Sequence, residues 1–198
     1  MSLIKRETKS PTIGGVFANL KAASKSVAAR LNGELVLMLD QSGSMRGEPI
    51  HQLNIAARAV IAEHLAKVDI NVITFPNVVI TPGQGFFQLH ARGGTPMRDA
   101  INLFYEHSAT GSHGILMSDG QPDSDVSCEV EACANKGLVI HTVACGNGAD
   151  ERLLRWIAER TGGTFYRAGE PVQLTEAFLA LGRKAVAALT EGRKELAK

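Results

Sequence analysis

The chain predicts an α/β fold: an open, mostly parallel, doubly wound sheet with helices on both faces and one antiparallel edge strand. Three observations predict it. Apolar runs of strand length alternate with segments whose apolar residues recur at helical spacing, the pattern of βα units. The run Leu35-Val36-Leu37-Met38-Leu39 is apolar throughout, which fits a central strand buried on both faces. Asp40, Thr95 and Asp119 each fall at or just after a strand or just before a helix, where sheets of this kind bind ligands.

Composition agrees with one soluble α/β domain. The chain has 198 residues, 44% of them hydrophobic and 21% charged. A net charge of +1 gives no electrostatic case for nucleic acid or an anionic membrane. No apolar segment approaches the roughly 20 residues needed to span a bilayer. Lys5, Arg6, Glu7 and Lys9 interrupt the N-terminus where a secretory leader would be apolar, and three cysteines suggest no disulfide framework. The expected setting is a reducing cytoplasm.

The elements follow in order. Residues 1–33 form a polar lead-in and a basic amphipathic helix over Gly15 to Leu31, with Val16, Leu20, Ala23, Val27 and Leu31 on one face. Packing on the domain edge is its simplest use, and partner binding the sharper one. The strand at Leu35 is followed by a helix from Pro49 to Ala66, with Pro suited to a first helical position. Asp69 to Phe75 reads as a strand, and Val78 to Ile80 resumes after the Pro76-Asn77 turn as the antiparallel edge. Phe86 to His90 reads as a further short extended piece. Helices over Pro96 to His107 and Ser124 to Asn135 alternate with strands at Ile115–Met117 and Leu138–Val143. Asp150 caps a helix running to Thr161, which Gly162-Gly163 ends. A strand at Thr164–Tyr166 and a helix over Pro171 to Leu189 complete the main domain, 34–189. Residues 190–198 read as a charged tail.

The chemistry concentrates in Glu34 to Met45, ELVLMLDQSGSM. Asp40, Ser42 and Ser44 are spaced i, i+2, i+4, so in an extended loop their oxygens point the same way. Gly43 lets that loop bend. One carboxylate and two hydroxyls are hard ligands, suited to Mg²⁺, Mn²⁺ or Ca²⁺. The segment resembles the DxSxS signature of the von Willebrand factor A family. Gly93-Gly94-Thr95-Pro96 resembles that family's threonine loop, and Ser118-Asp119-Gly120 its second-aspartate loop. The resemblance covers Glu34 to Leu189, and SGSMRGEPI is closer to stand-alone bacterial members than to animal adhesion domains.

The resemblance implies a Rossmann-like sheet carrying a metal-ion-dependent adhesion site. Its ligands would be Asp40, Ser42, Ser44, Thr95 and Asp119, holding Mg²⁺, with Mn²⁺ or Ca²⁺ as alternatives. In the family, Thr95 and Asp119 exchange direct coordination between states, and an Asp or Glu of a partner protein completes the shell. Such proteins are often partners of AAA+ ATPases or parts of bacterial stress and metal-resistance systems. The function expected is therefore a non-enzymatic, metal-dependent protein-binding module. A Mg²⁺-dependent phosphoryl-transfer enzyme is the alternative, although Ser42 stands where a DxD phosphatase carries its second Asp.

Other readings stand beside these. Thr95 precedes Pro96 and is also a helix N-cap candidate, and the two roles can coexist. Asp123 and Asp125 read as caps of the following helix. Arg46 and Arg98 flank the metal loops and read as solvated. The six histidines lack metal-ligand spacing. Cys145, in a Gly-rich loop, is a candidate reactive thiol with nothing nearby to activate it.

Overall fold

The computed structural model describes residues 33–119, 121–145, 148–170 and 173–196. The expected N-terminal helix over Gly15 to Leu31 lies outside them. Six strands form one sheet: β1 (Leu35–Asp40), β2 (Ile70–Phe75), β3 (Val79–Pro82), β4 (His113–Ser118), β5 (Val139–Cys145) and β6 (Phe165–Ala168). Their order is β3-β2-β1-β4-β5-β6, parallel except for the β2–β3 hairpin. Among the described residues, five helices connect or flank them: α1 (Glu48–His64), α2 (Met97–His107), α3 (Ser127–Lys136), α4 (Glu151–Arg160) and α5 (Leu174–Leu196).

The continuous apolar run of β1 has a direct cause. Leu35, Leu37 and Leu39 face α1 and α5, against Leu53, Ala57, Val60, Phe178 and Leu181. Val36 and Met38 face α2, α3 and α4, against Ala100, Phe104, Val130 and Leu154. All five apolar side chains of β1 are wholly buried. Each contributes about 1.5–3 kcal/mol relative to exposure. Two core layers therefore fix β1 at the middle, flanked by β2 and β4, where the strand order reverses.

Three local expectations are corrected. Phe86 to His90 pairs with no strand among the described residues. Instead, Asn54 on α1 acts as its partner: Oδ1 accepts the Leu89 N–H at 2.7 Å and Nδ2 donates to the Leu89 carbonyl at 3.1 Å. Thr95 does not cap α2. The cap position is Pro96, without a side-chain hydrogen bond, and the helix begins at Met97. The last helix does not stop at Leu189 but continues to Leu196. Glu191, Arg193, Lys194 and Glu195 are good helix formers and outweigh Gly192, Thr190 Oγ donates to the Val186 carbonyl, and Arg193 donates to the carbonyls of Lys67 and Gly33. Asp150 does cap α4, accepting the Leu153 N–H at 3.0 Å.

A histidine pair, His141 buried and His113 half-buried, lies nearer the amino end of the sheet. His141 on β5 is 1% exposed and stacks on His113 of β4, with ring centroids 5.3 Å apart. The Thr164 N–H donates to His141 Nδ1 at 3.1 Å, and His141 Nε2 lies 3.1 Å from His113 Nδ1. An amide proton already points at Nδ1, so the neutral His141 ring carries its own proton on Nε2 and donates it to His113.

Candidate metal centre

Asp40 is the last residue of β1 and is 0% exposed. The chain then turns through a short 3-10 turn at Gly43–Met45 into α1, starting with Gly47 at φ 92°, a left-handed conformation that glycine adopts without strain. That path brings Ser42 and Ser44 beside each other, with their hydroxyls 2.9 Å apart. Ser44 Oγ donates to Asp119 Oδ1 at 2.9 Å. Asp119 follows the end of β4, so the two strands either side of the reversal in strand order deliver the two carboxylates.

Both Asp40 oxygens are held. The Ser42 N–H donates to Oδ1 at 2.7 Å, and Ser118 Oγ donates to Oδ2 at 2.6 Å. Burial raises the Asp40 pKa, the hydrogen bonds from Ser118 and Ser42 oppose that, and Asp119 raises it further. Burial likewise raises Asp119, against the hydrogen bond from Ser44. Two carboxylates are thus crowded and partly dehydrated beside three hydroxyl oxygens, a donor set whose uncompensated charge a hard cation would relieve. Among the described residues, no group of three or more His, Cys, Asp or Glu could hold a metal ion, so the candidate centre rests on hydroxyls plus this carboxylate pair.

The threonine loop is stitched to both neighbours. The Gly43 N–H donates to the Gly93 carbonyl at 2.9 Å and the Arg92 N–H to the Gln41 carbonyl at 2.7 Å. Thr95, buried at 6% exposure, donates its N–H to Asp123 Oδ2 at 3.1 Å. Its carbonyl accepts from the N–H groups of Asp123 at 3.1 Å and Met97 at 2.7 Å. Hydrogen bonds therefore join the three loops in a ring: the Asp40 loop to the Thr95 loop, that to the Asp119 loop, and that back to Asp40.

Asp40, Ser42, Ser44 and Asp119 are directly linked by side-chain or backbone bonds, and Thr95 is tied to the same group through its backbone. Gly120 lies outside the described residues. Two supporting residues escaped sequence reasoning. Ser118 was read only as part of a loop, and its bond to Asp40 spans 78 residues. Asp123 was read as a helix cap, but it holds Thr95. Asp125 does the local work, accepting from the Ser127 N–H and hydroxyl at the start of α3. Arg46 and Arg98 are exposed, and Arg98 lies 3.7 Å from Asp99. Cys145 is fully buried, and burial together with Asp119 pushes its thiol up to about 11, so it is no activated nucleophile.

Comparisons with known proteins bear on the family and the fold. A family model described as "von Willebrand factor type A domain" matches residues 33–84 and 84–167. Calcium-activated chloride channel regulator 1 of Bos taurus is 28% identical over 165 residues, covering 72% of this chain but 18% of that protein. The chain thus spans less than a fifth of that relative's length. A von Willebrand factor type A structure from Catenulispora acidiphila matches with a TM-score of 0.67 at 20% identity, over 78% of this chain and 43% of that one. Proximal thread matrix protein 1 of the mussel byssus, solved with a zinc-occupied MIDAS motif, gives a TM-score of 0.63 at 14% identity, over 79% of this chain and 48% of that one. At those identities the structural likenesses speak for the fold alone. With the family match extending over most of the chain and the three loops assembled at one sheet end, the chain belongs to the von Willebrand factor type A domain family.

Proposed function

We propose that this chain is a metal-dependent protein-interaction module and not an enzyme. The observation that carries the reading is the linked set Ser42 Oγ, Ser44 Oγ and Asp119 Oδ1, each 2.9 Å from the next, above buried Asp40. Ser42, Ser44, Thr95 and Asp119 would hold a divalent cation, with Asp40 supplying further negative charge. Oxygen donors favour Mg²⁺ or Mn²⁺, with Ca²⁺ as a softer fit to geometry. When bound, the cation supplies a Lewis-acidic position for an anionic ligand, and we assign that ligand as an Asp or Glu carboxylate of a partner protein. An AAA+ ATPase is a partner class to test first. The free cysteines support a reducing, cytoplasmic setting.

One observation disfavours the phosphoryl-transfer alternative. Asp40, the strand-end carboxylate such an enzyme would use as nucleophile, is fully buried with a hydrogen bond on each oxygen. The test is calorimetric titration of the chain with Mg²⁺ and Mn²⁺ beside Asp40→Ala and Thr95→Ala, followed by partner capture with and without EDTA. One divalent site is expected, lost in Asp40→Ala and weakened in Thr95→Ala, with capture abolished by EDTA. Mg²⁺-dependent phosphatase turnover that disappears in Asp40→Ala would overturn the reading, as would capture indifferent to EDTA.

A further inference from the structure

The backbone of Thr95, a proposed ligand, is gripped on both sides by a single residue of another loop. Asp123 accepts the Thr95 N–H through Oδ2 and donates its own N–H to the Thr95 carbonyl, both at 3.1 Å. The Asp123 side chain is exposed, so these bonds, and not packing, set its place. The loop is shaped to receive it. A Cβ at Gly94 would stand 2.9 Å from Asp123 Oδ2, and one at Gly93 would stand 2.5 Å from Pro76 Cγ. Gly93 has φ +74°, a conformation that also favours glycine. The threonine loop is therefore held between Pro76 on one side and Asp123 on the other.

We infer that Asp123 is a positioning residue that sets the affinity and ion selectivity of the centre by fixing Thr95; the inference rests on the metal-binding reading above. Mg²⁺ demands near-ideal octahedral geometry at about 2.0–2.1 Å, whereas Ca²⁺ accepts looser arrangements at about 2.3–2.6 Å. A threonine held at its N–H and carbonyl cannot drift outward to suit the larger ion. Releasing it removes preorganisation that the small ion needs more. Asp123 does this through the backbone, by accepting a hydrogen bond, so an amide oxygen at the same place serves as well as a carboxylate.

The experiment uses the full chain and titrates Mg²⁺ and Ca²⁺ separately by calorimetry into wild type, Asp123→Ala, Asp123→Asn and Gly94→Ala. Asp123→Ala is expected to weaken Mg²⁺ by about tenfold, the scale of lost support around a metal ligand, with a smaller change for Ca²⁺, so the Mg²⁺/Ca²⁺ preference falls. Asp123→Asn restores most of the loss. Gly94→Ala keeps the carboxylate but displaces its Oδ2 from the Thr95 N–H, and it reproduces the Asp123→Ala pattern. Asp123→Ala binding Mg²⁺ within about twofold of wild type overturns the inference while leaving the metal site standing. Asp123→Asn as weak as Asp123→Ala also overturns it, because charge and not position would then be the cause. Wild type that binds neither ion overturns the metal-site reading and this inference with it.

Discussion

Acid should unfold this domain partly through His141. The ring is 1% exposed, its Nδ1 accepts from the Thr164 N–H, and its Nε2 faces His113. Burial, then repulsion from a charged His113 and from Lys184, lowers its pKa from 6.5 to about 3. His113 is lowered too, by burial first and then Lys184. A second proton on His141 would have to sit on Nδ1, facing the Thr164 amide proton. The unfolded chain therefore takes up a proton near pH 6.5 that the folded chain refuses until far lower. Stability contributed by neutral His141 is intact above 6.5 and declines as pH falls toward 3, by about 1.4 kcal/mol per unit. Between pH 7.5 and pH 5 the loss from this group is about 2 kcal/mol. Asp40 and Asp119, whose pKa values are raised, act in the opposite sense, so a single curve would mix the terms. Urea unfolding in EDTA at pH 7.5, 6.5, 5.5 and 5.0 should therefore be run beside His141→Asn, which can still accept from Thr164 but cannot titrate. The variant should be less stable at pH 7.5, having lost ring packing, yet fall less steeply with acid. Parallel curves for the two proteins would refute the reasoning.

Three further outcomes are expected. Asp40→Asn removes a buried charge while an amide can still satisfy Ser42 N–H and Ser118 Oγ, so in EDTA its melting temperature should equal or exceed wild type, with divalent binding lost; a clear drop in melting temperature would count against a strained carboxylate pair. Gly163→Ala places a Cβ 2.0 Å from the Ile140 carbonyl oxygen at the entrance to β6, and should cost more than about 3 kcal/mol in chemical denaturation or prevent soluble expression. Asn54→Ala leaves the Leu89 N–H and carbonyl without their side-chain partner, and should destabilise by about 2–3 kcal/mol, with faster amide exchange at Leu89.

The sequence made the sheet legible because its strongest signals are local. The unbroken apolar stretch of β1 reflects burial on two faces, and the i, i+2, i+4 oxygens after it mark the site with no knowledge of other segments. The helix periods gave α1 and α2 to within a residue or two. The failures have a common physical cause. The Phe86–His90 stretch has the composition of a strand, but whether it finds a ladder depends on a neighbour, and Asn54 occupies that role from 35 residues away. Asp123 and Ser118 make ordinary local turn signals, yet their decisive bonds cross 28 and 78 residues. The tail, which reads as charged, is helical as far as Leu196 because Arg193 finds carbonyls at Lys67 and Gly33, 126 and 160 residues distant.

Those last contacts put the far end of α5 and the start of β1 together, at the pole of the sheet opposite Asp40. The mechanical consequence concerns load. Tension between something gripping the centre and something attached through Gly33 runs along β1 itself. That strand is paired to β2 over six positions and to β4 over five. It is pulled in shear, with both ladders strained at once and no edge from which to peel. A tether built this way yields by sliding a whole buried strand out of two core layers.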